Sequence, residues 1–259
     1  MLIAQISDTH ILAHGSDHPA ADWRADCLRR SITDINRQRP DAVIFTGDTV
    51  QHGLPKEYVR LRELLAPLDV PVYLVPGNRD DSKTMRAAFS DFAYLPATGE
   101  FLNYTIENDD VRLVGIDSTL AGERKGRFCK ARQAWLDAAL REQPDRPTLI
   151  FIHHPPFDVG EHYVGGYRQP EEVAALEDIV SRHPQVMITL CGHVHWPVAR
   201  DWAGTEARIM PSIAVDVRKG VDETAVRGQP IYLLHRLADE TGLISVARRV
   251  DGGACPHLF

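Results

Sequence analysis

Seven side chains suited to a divalent cation stand in five short motifs between positions 8 and 195, and four of these motifs directly follow an apolar, strand-like run. They are Asp8 and His10 in Ile-Ser-Asp-Thr-His, Asp48 in Phe-Thr-Gly-Asp, Asn78 in Pro-Gly-Asn-Arg-Asp, His153 in Ile-His-His-Pro-Pro, and His193 with His195 in Cys-Gly-His-Val-His. Residues so dispersed can act together only where the ends of many strands meet at one edge. Hard oxygen donors mixed with neutral imidazoles are also what a two-metal hydrolytic centre requires.

Between the motifs, apolar runs alternate with segments of helical period, the pattern of a layered α/β architecture. Leu2–Ile6 reads as a first strand. Over residues 23–37, Leu28, Ile32 and Ile35 share one helical face, and Pro40 closes the segment before a strand at 42–45. Pro55–Leu65 reads as a second amphipathic helix using Tyr58, Leu61, Leu64 and Leu65, and a strand at 70–75 follows, ended by Pro76-Gly77. Further strands are expected at 111–116, 148–152 and 186–190, with helices at 131–140 and 171–181.

Beyond His195 the apolar pieces shorten, at 208–215, 231–234 and 243–246, with turns at Gly228-Gln-Pro and Glu240-Thr-Gly; these are expected to supply a second sheet. The expected fold is α/β, a four-layer αββα sandwich of two mixed β-sheets flanked by helices. No repeat or linker divides residues 1–259, which read as one domain. Segment 158–170, with Gly160, His162, Tyr163, Gly165, Gly166 and Tyr167, is expected as a loop above the edge where the motifs meet.

A hydrophobic content of 44% with 25% charged residues suits a soluble chain with a substantial core. The formal charge of -7, without any block of Lys and Arg, argues against a nucleic-acid polymer as partner. An anionic substrate must therefore be attracted locally, by metals. Cys27, Cys129, Cys191 and Cys255 lack the spacing of a zinc knuckle or a disulfide framework. The N-terminus reaches Asp8 with no basic leader or long apolar span, so a cytoplasmic location without membrane contact is expected.

Taken singly, each motif has an ordinary explanation, because Asp caps helices and Gly makes turns. The i, i+2 spacing of His193 and His195 puts both imidazoles on one side of an extended chain. His153 and His154 face opposite ways in an extended segment, so one of the two is the ligand. The coincidence of all five motifs, in this order, outweighs the ordinary readings.

The set resembles the calcineurin-like metallophosphoesterase superfamily, whose pattern is Asp-X-His, Gly-Asp, Gly-Asn-(His/Arg/Cys)-(Asp/Glu), His and Gly-His-X-His, here from Met1 to about Ala199. Ile-Ser-Asp-Thr-His, Gly-Asp-Thr-Val and His-His-Pro-Pro look most like the class III cyclic nucleotide phosphodiesterases and the bacterial glycerophosphodiesterases within it. The resemblance implies that one metal is held by Asp8, His10, Asp48 and His195 and the other by Asp48, Asn78, His153 and His193, with Asp48 bridging. It prefers His153 over His154 because His153-His154-Pro155 fits the family's His-X-Pro spacing, leaving His154 to a supporting position or a substrate oxygen. Two cations about 3.5–4 Å apart can hold a nucleophilic hydroxide and both oxygens of a phosphodiester. Manganese, iron, zinc and cobalt all suit mixed nitrogen and oxygen ligands.

Arg79 departs from the histidine that those relatives usually carry in this slot. A guanidinium grips phosphate and offsets developing charge, yet stays protonated, so it cannot protonate a leaving alkoxide. The implied catalytic group is Asp48, Asn78, Arg79 and His195, with Arg79, Asn78 and His154 toward substrate and Asp80 supporting a ligand. The expected activity is hydrolysis of a small soluble phosphodiester, a cyclic nucleotide or glycerophosphodiester, by in-line attack of a metal-bridging hydroxide. The alternatives are a phosphomonoesterase or nucleotide pyrophosphohydrolase on the same scaffold, and a non-enzymatic metal-containing binding scaffold. Trp196 is open to two uses, as a base platform or a core anchor, and segment 217–259 is expected at a homodimer or higher homo-oligomer contact.

Overall fold

The computed structural model describes residues 1–107, 110–159, 166–214, 229–238, 242–250 and 253–254. The N-terminal part runs β1 (Leu2–Ile6), α1 (Ala21–Gln38), β2 (Ala42–Thr46), α2 (Pro55–Leu65), β3 (Val72–Val75) and α3 (Ser82–Ala88). It continues with β4 (Tyr104–Glu107), β5 (Arg112–Ile116), α4 (Lys130–Glu142), β6 (Thr148–Ile152), α5 (Pro170–Ser181) and β7 (Val186–Cys191). The last strands are β8 (Val198–Trp202), β9 (Thr205–Ile209), β10 (Ile231–Ala238), β11 (Gly242–Arg249) and β12 (Gly253–Ala254).

Two mixed six-stranded sheets result, ordered β12-β11-β10-β1-β2-β3 and β4-β5-β6-β7-β9-β8. The period-2 alternation of the central strands explains their stacking. Leu113, Leu149 and Phe151 face the core shared with Ile3, Val43 and Phe45 of the first sheet. Their neighbours Val114, Ile150 and Ile152 instead pack with Leu136 and Leu140 of α4 and Leu176 and Ile179 of α5. Leu28, Ile32 and Ile35 of α1 and Leu61 and Leu65 of α2 belong to the core of the first sheet. The layers are thus helix, sheet, sheet, helix.

The second sheet is built only in part from the segments after His195, which the sequence pattern led one to expect to supply it. It begins at β4, and the later strands divide: β8 and β9 close one edge of it, while β10 pairs antiparallel with β1 and draws β11 and β12 into the first sheet. Periodicity reports which face of a strand is buried, not which strand lies beside it. The strand expected at 208–215 ends at Ile209, just before Pro211. β8 escaped the pattern because Ala199, Arg200 and Asp201 are all exposed.

At the edge strand β3, the Tyr94 hydroxyl accepts from Leu74 N and donates to Val72 O, and the Tyr104 hydroxyl donates to Leu74 O. Side chains thereby satisfy a backbone edge that would otherwise pair with another chain. Among the described residues, no helix is long and apolar enough to cross a membrane. Of loop 158–170, residues 160–165, with His162 and Tyr163, lie outside the described residues, while Tyr167 is buried and packs in the core of the second sheet. Trp196 packs against the same core. Of segment 217–259, residues 217–228, 239–241, 251–252 and 255–259 lie outside the described residues.

Candidate metal centre

All five motifs sit at the C-terminal ends of strands: Asp8 and His10 after β1, Asp48 after β2, Asn78 after β3, His153 after β6, and His193 with His195 after β7. Parallel pairing of β1, β2 and β3, and of β5, β6 and β7, points those ends the same way in each sheet. Seven non-glycine residues among those described have positive φ, and five are Asp8, His10, Asp48, His193 and His195. Left-handed backbone at non-glycine positions costs on the order of 1–3 kcal/mol each and persists only where the surroundings hold it. The extended chain expected at His193-Val194-His195 is therefore replaced by a turn with φ of 74° and 69° at the two histidines. This turn sends them to different groups of donors.

One group gathers Asp8, His10, Asp48 and His195, with one donor atom from each within 4.8 Å of the others. His195 Nε2 lies 3.1 Å from Asp8 Oδ1 and 3.1 Å from His10 Nε2, and His10 Nε2 is 3.6 Å from Asp48 Oδ2. The other group gathers His153, His154 and His193. His153 Nε2 lies 3.3 Å from Asn78 Oδ1 and 3.4 Å from Asp48 Oδ1. The two oxygens of Asp48 consequently face different groups.

Packing around the donors is close. A Cβ on Gly77 would collide with Asp48, and one on Gly192 with Ser7 and Asp8 Oδ2, so the glycines of Gly-Asn and Gly-His let backbone pass beside carboxylate. The Arg79 N–H donates to Asp48 Oδ1 at 2.7 Å, and the His193 N–H donates to Asp8 Oδ2 at 3.0 Å. Asp80 accepts from Gly77 N at 2.9 Å, Thr49 N at 3.0 Å and the Tyr58 hydroxyl at 3.0 Å, which ties the Gly-Asn and Gly-Asp loops together.

His153 Nδ1 lies 2.7 Å from the Thr46 carbonyl, which can only accept, so Nδ1 donates there and Nε2 is the nitrogen turned toward Asp48 and Asn78. His154 is different. Its Nε2 donates to Arg124 O at 3.0 Å and its Nδ1 accepts from Ser118 Oγ at 2.8 Å, so neither nitrogen remains for a substrate oxygen. The substrate contact expected of His154 is thus replaced by support, with its ring centroid 4.5 Å from that of His193.

Burial, then repulsion from His195, holds the pKa of His10 well below the ordinary imidazole value. Burial, joined by His154 and His153, does the same for His193. Burial pushes Asp48 up to about 7 despite the opposing pull of His153. For Asp8 burial acts upward too, but His195 outweighs it and the carboxyl falls below its ordinary range. His10 and His193, held neutral beside buried carboxylates, offer lone pairs to a cation, and a cation bound there would displace the proton that burial favours on Asp48. That donor set fits divalent cations with nitrogen and oxygen preference.

Arg79 is half-buried, and its guanidinium makes no hydrogen bond or ion pair among the described residues. Asn78 lies on the wall of a pocket of about 290 Å³ with Ser82, Asp117 and Thr119. Ser82 Oγ donates to Asp117 Oδ2 at 3.1 Å, and Thr119 Oγ1 donates to Asp117 Oδ1 at 2.6 Å. Asp117, Ser118 and Thr119 were not singled out from the sequence. The signal was available, because they follow β5 as the other motifs follow their strands.

The model of the calcineurin-like phosphoesterase family matches residues 1–197. The chain belongs to this family. It is 35% identical over 261 residues to a glycerophosphodiester phosphodiesterase, GpdQ, of Enterobacter lignolyticus, covering 93% of this chain and 88% of that one. It is 28% identical over 256 residues to the 3',5'-cyclic adenosine monophosphate phosphodiesterase CpdA of Pseudomonas aeruginosa, covering 97% and 90%. A dimetal phosphatase from Danio rerio shares the fold, with a TM-score of 0.70 at 16% identity and 98% of each chain covered.

Proposed function

We propose that this calcineurin-like phosphoesterase is a dinuclear metal-dependent phosphodiesterase acting on a small soluble phosphodiester, a glycerophosphodiester or a cyclic nucleotide. The observation that carries the reading is the division of Asp48, with Oδ2 3.6 Å from His10 Nε2 and Oδ1 3.4 Å from His153 Nε2. Asp8, His10, Asp48 and His195 would hold one cation, and Asp48, Asn78, His153 and His193 the other, from manganese, iron, zinc or cobalt. Such a pair supplies Lewis acidity toward phosphate oxygens and lowers the pKa of water for attack on phosphorus.

The remaining roles fall to the chain. The 2.7 Å hydrogen bond from the Arg79 backbone N–H to Asp48 roots this side chain beside the shared carboxylate, and the charge of its guanidinium is felt at His10. The guanidinium grips a non-bridging phosphate oxygen and offsets charge that builds in the transition state. It does not release a proton, so the leaving alkoxide takes its proton from water or another histidine, or leaves unaided. The pocket beside Asn78 gives room for the alcohol portion, and the hydroxyls of Ser82 and Thr119 suit a neutral polar group better than an apolar one.

The test is turnover of protein loaded with each metal across glycerophosphodiesters, cyclic nucleotides, nucleotides and aryl monoesters. Diesters are expected to give the higher kcat/KM. A monoester-to-diester ratio well above one overturns the reading in favour of a phosphomonoesterase or pyrophosphohydrolase. Two bound ions with no turnover on any substrate would favour a binding scaffold.

A further inference from the structure

Beneath the candidate metal centre, the interior carries a chain of buried polar side chains that touches none of the expected ligands' donor atoms. Gln5 stands in the middle of β1, in Leu-Ile-Ala-Gln-Ile, and is wholly buried. Its carboxamide nitrogen donates to Thr46 Oγ1 at 3.1 Å and to Cys191 O at 3.1 Å. Its carboxamide oxygen lies 3.0 Å from Nε2 of His235, which is also wholly buried, and His235 Nδ1 lies 2.8 Å from Ser245 Oγ.

The direction of every link is fixed. Cys191 O only accepts, so the amide nitrogen of Gln5 faces it and the amide oxygen faces His235. His235 Nε2 must then carry the proton, and Nδ1 accepts from Ser245. Burial, joined by Arg208, holds this imidazole neutral with its pKa down to about 3, which agrees with one donating and one accepting nitrogen.

The two acceptors that Gln5 holds are the last residues of β2 and β7, one in each sheet. Thr46 precedes Gly47-Asp48, and its carbonyl receives His153 Nδ1. Cys191 precedes Gly192-His193-Val194-His195, and its carbonyl also receives Met210 N. One side chain therefore fixes the starting points of the segment that brings Asp48 from one sheet and of the segment that brings His193 and His195 from the other. An apolar residue of similar volume would fill the same space without fixing either strand end. A buried, fully satisfied network specifies one arrangement more sharply than apolar packing does.

We infer that Gln5, oriented by His235, is a positioning residue that sets where the shared Asp48 stands relative to His193 and His195, across the junction of the sheets. The inference rests on the dinuclear reading proposed above.

The test compares wild type with Gln5→Met, which keeps volume and removes the hydrogen bonds. Tyr232→Phe serves as a control, because it removes the 2.8 Å bond to Asp34 from the same strand β10 without reaching either strand end. Binding of Mn²⁺ is followed by calorimetry, the coupling of the two ions by electron paramagnetic resonance, and folding by thermal melting. Gln5→Met is expected to bind its weaker ion at least about ten-fold less tightly than wild type and to change the spin-coupled spectrum. Tyr232→Phe is expected to lower the melting temperature and leave both metal readouts unchanged. Wild-type affinity and spectrum in Gln5→Met overturn the inference, whatever its melting temperature. If Gln5→Met does not fold, Zn²⁺ titration of the wild type decides. The side-chain amide resonances of Gln5 are expected to shift with occupancy of the second ion, and resonances that stay fixed overturn the inference. Failure of wild type itself to bind two ions would sink the dinuclear reading instead.

Discussion

The two halves of the proposed metal centre differ in charge more than in shape. The Asp8, His10 and His195 side pairs one unshared carboxylate with two imidazoles, whereas the Asn78, His153 and His193 side substitutes a neutral amide for that carboxylate. Asp48 would serve both. A cation on the first side would therefore be better neutralised, and one on the second would keep more positive charge to offer a phosphate oxygen. The pocket near Ser82 and Thr119 opens beside Asn78, on the second side. On that reading, electrophilicity would be placed where a substrate has room to approach.

Removing the shared residue should erase the comparison altogether. Asp48→Ala is expected to lower kcat by at least about 10³-fold and to reduce tightly bound metal from two ions, with chelation of wild type giving an equal loss reversed by readdition. Elemental analysis beside kinetics would check it, and two retained ions with near-normal turnover would contradict a bridging Asp48. Arg79→Ala should cost roughly 10²-fold in kcat while leaving metal content unchanged, as expected for loss of a group that meets the transition state. Arg79→His is expected to recover part of that loss; if neither substitution alters any activity, Arg79 does not face substrate.

The asymmetry itself is probed by exchanging charge. Asn78→Asp should tighten the second ion and lower kcat by about ten-fold, because an added negative charge makes that cation a weaker electrophile. Faster turnover in this variant would reverse the assigned roles of the two halves. Asp80→Asn is the mildest of the set. It weakens the network of Gly77, Thr49 and Tyr58 around Asp80, and a loss near the low end of the roughly 10–100-fold range for groups that orient ligands is expected in metal affinity, measured by competition with a chelator.

Some of this was legible in the residues and some was not, and the division follows physical range. β1, α2 and β6 match their expected bounds because each is specified by local periodicity and by punctuation such as Pro55 at the start of α2. β8 was hidden by its exposed charges, and the placement of β10 beside β1 depends on a pairing between residues more than two hundred positions apart. The Gly-Asp and Gly-His motifs announced donors, but the positive φ at Asp8, His10, Asp48, His193 and His195 is imposed by the contacts around them. For His154, sequence spacing left a substrate contact open, and the Ser118 hydroxyl with the Arg124 carbonyl closed it.

The sequence by itself determined which residues are candidate donors and that they follow strands, because donor chemistry and strand periodicity are local properties of the chain. Tertiary structure alone decided which donors face one another, that Asp48 presents one oxygen to each group, and that Gln5 joins the ends of β2 and β7. Those relations depend on strand order and on the packing of one sheet against the other. They arise from contacts between distant segments, which no local pattern encodes.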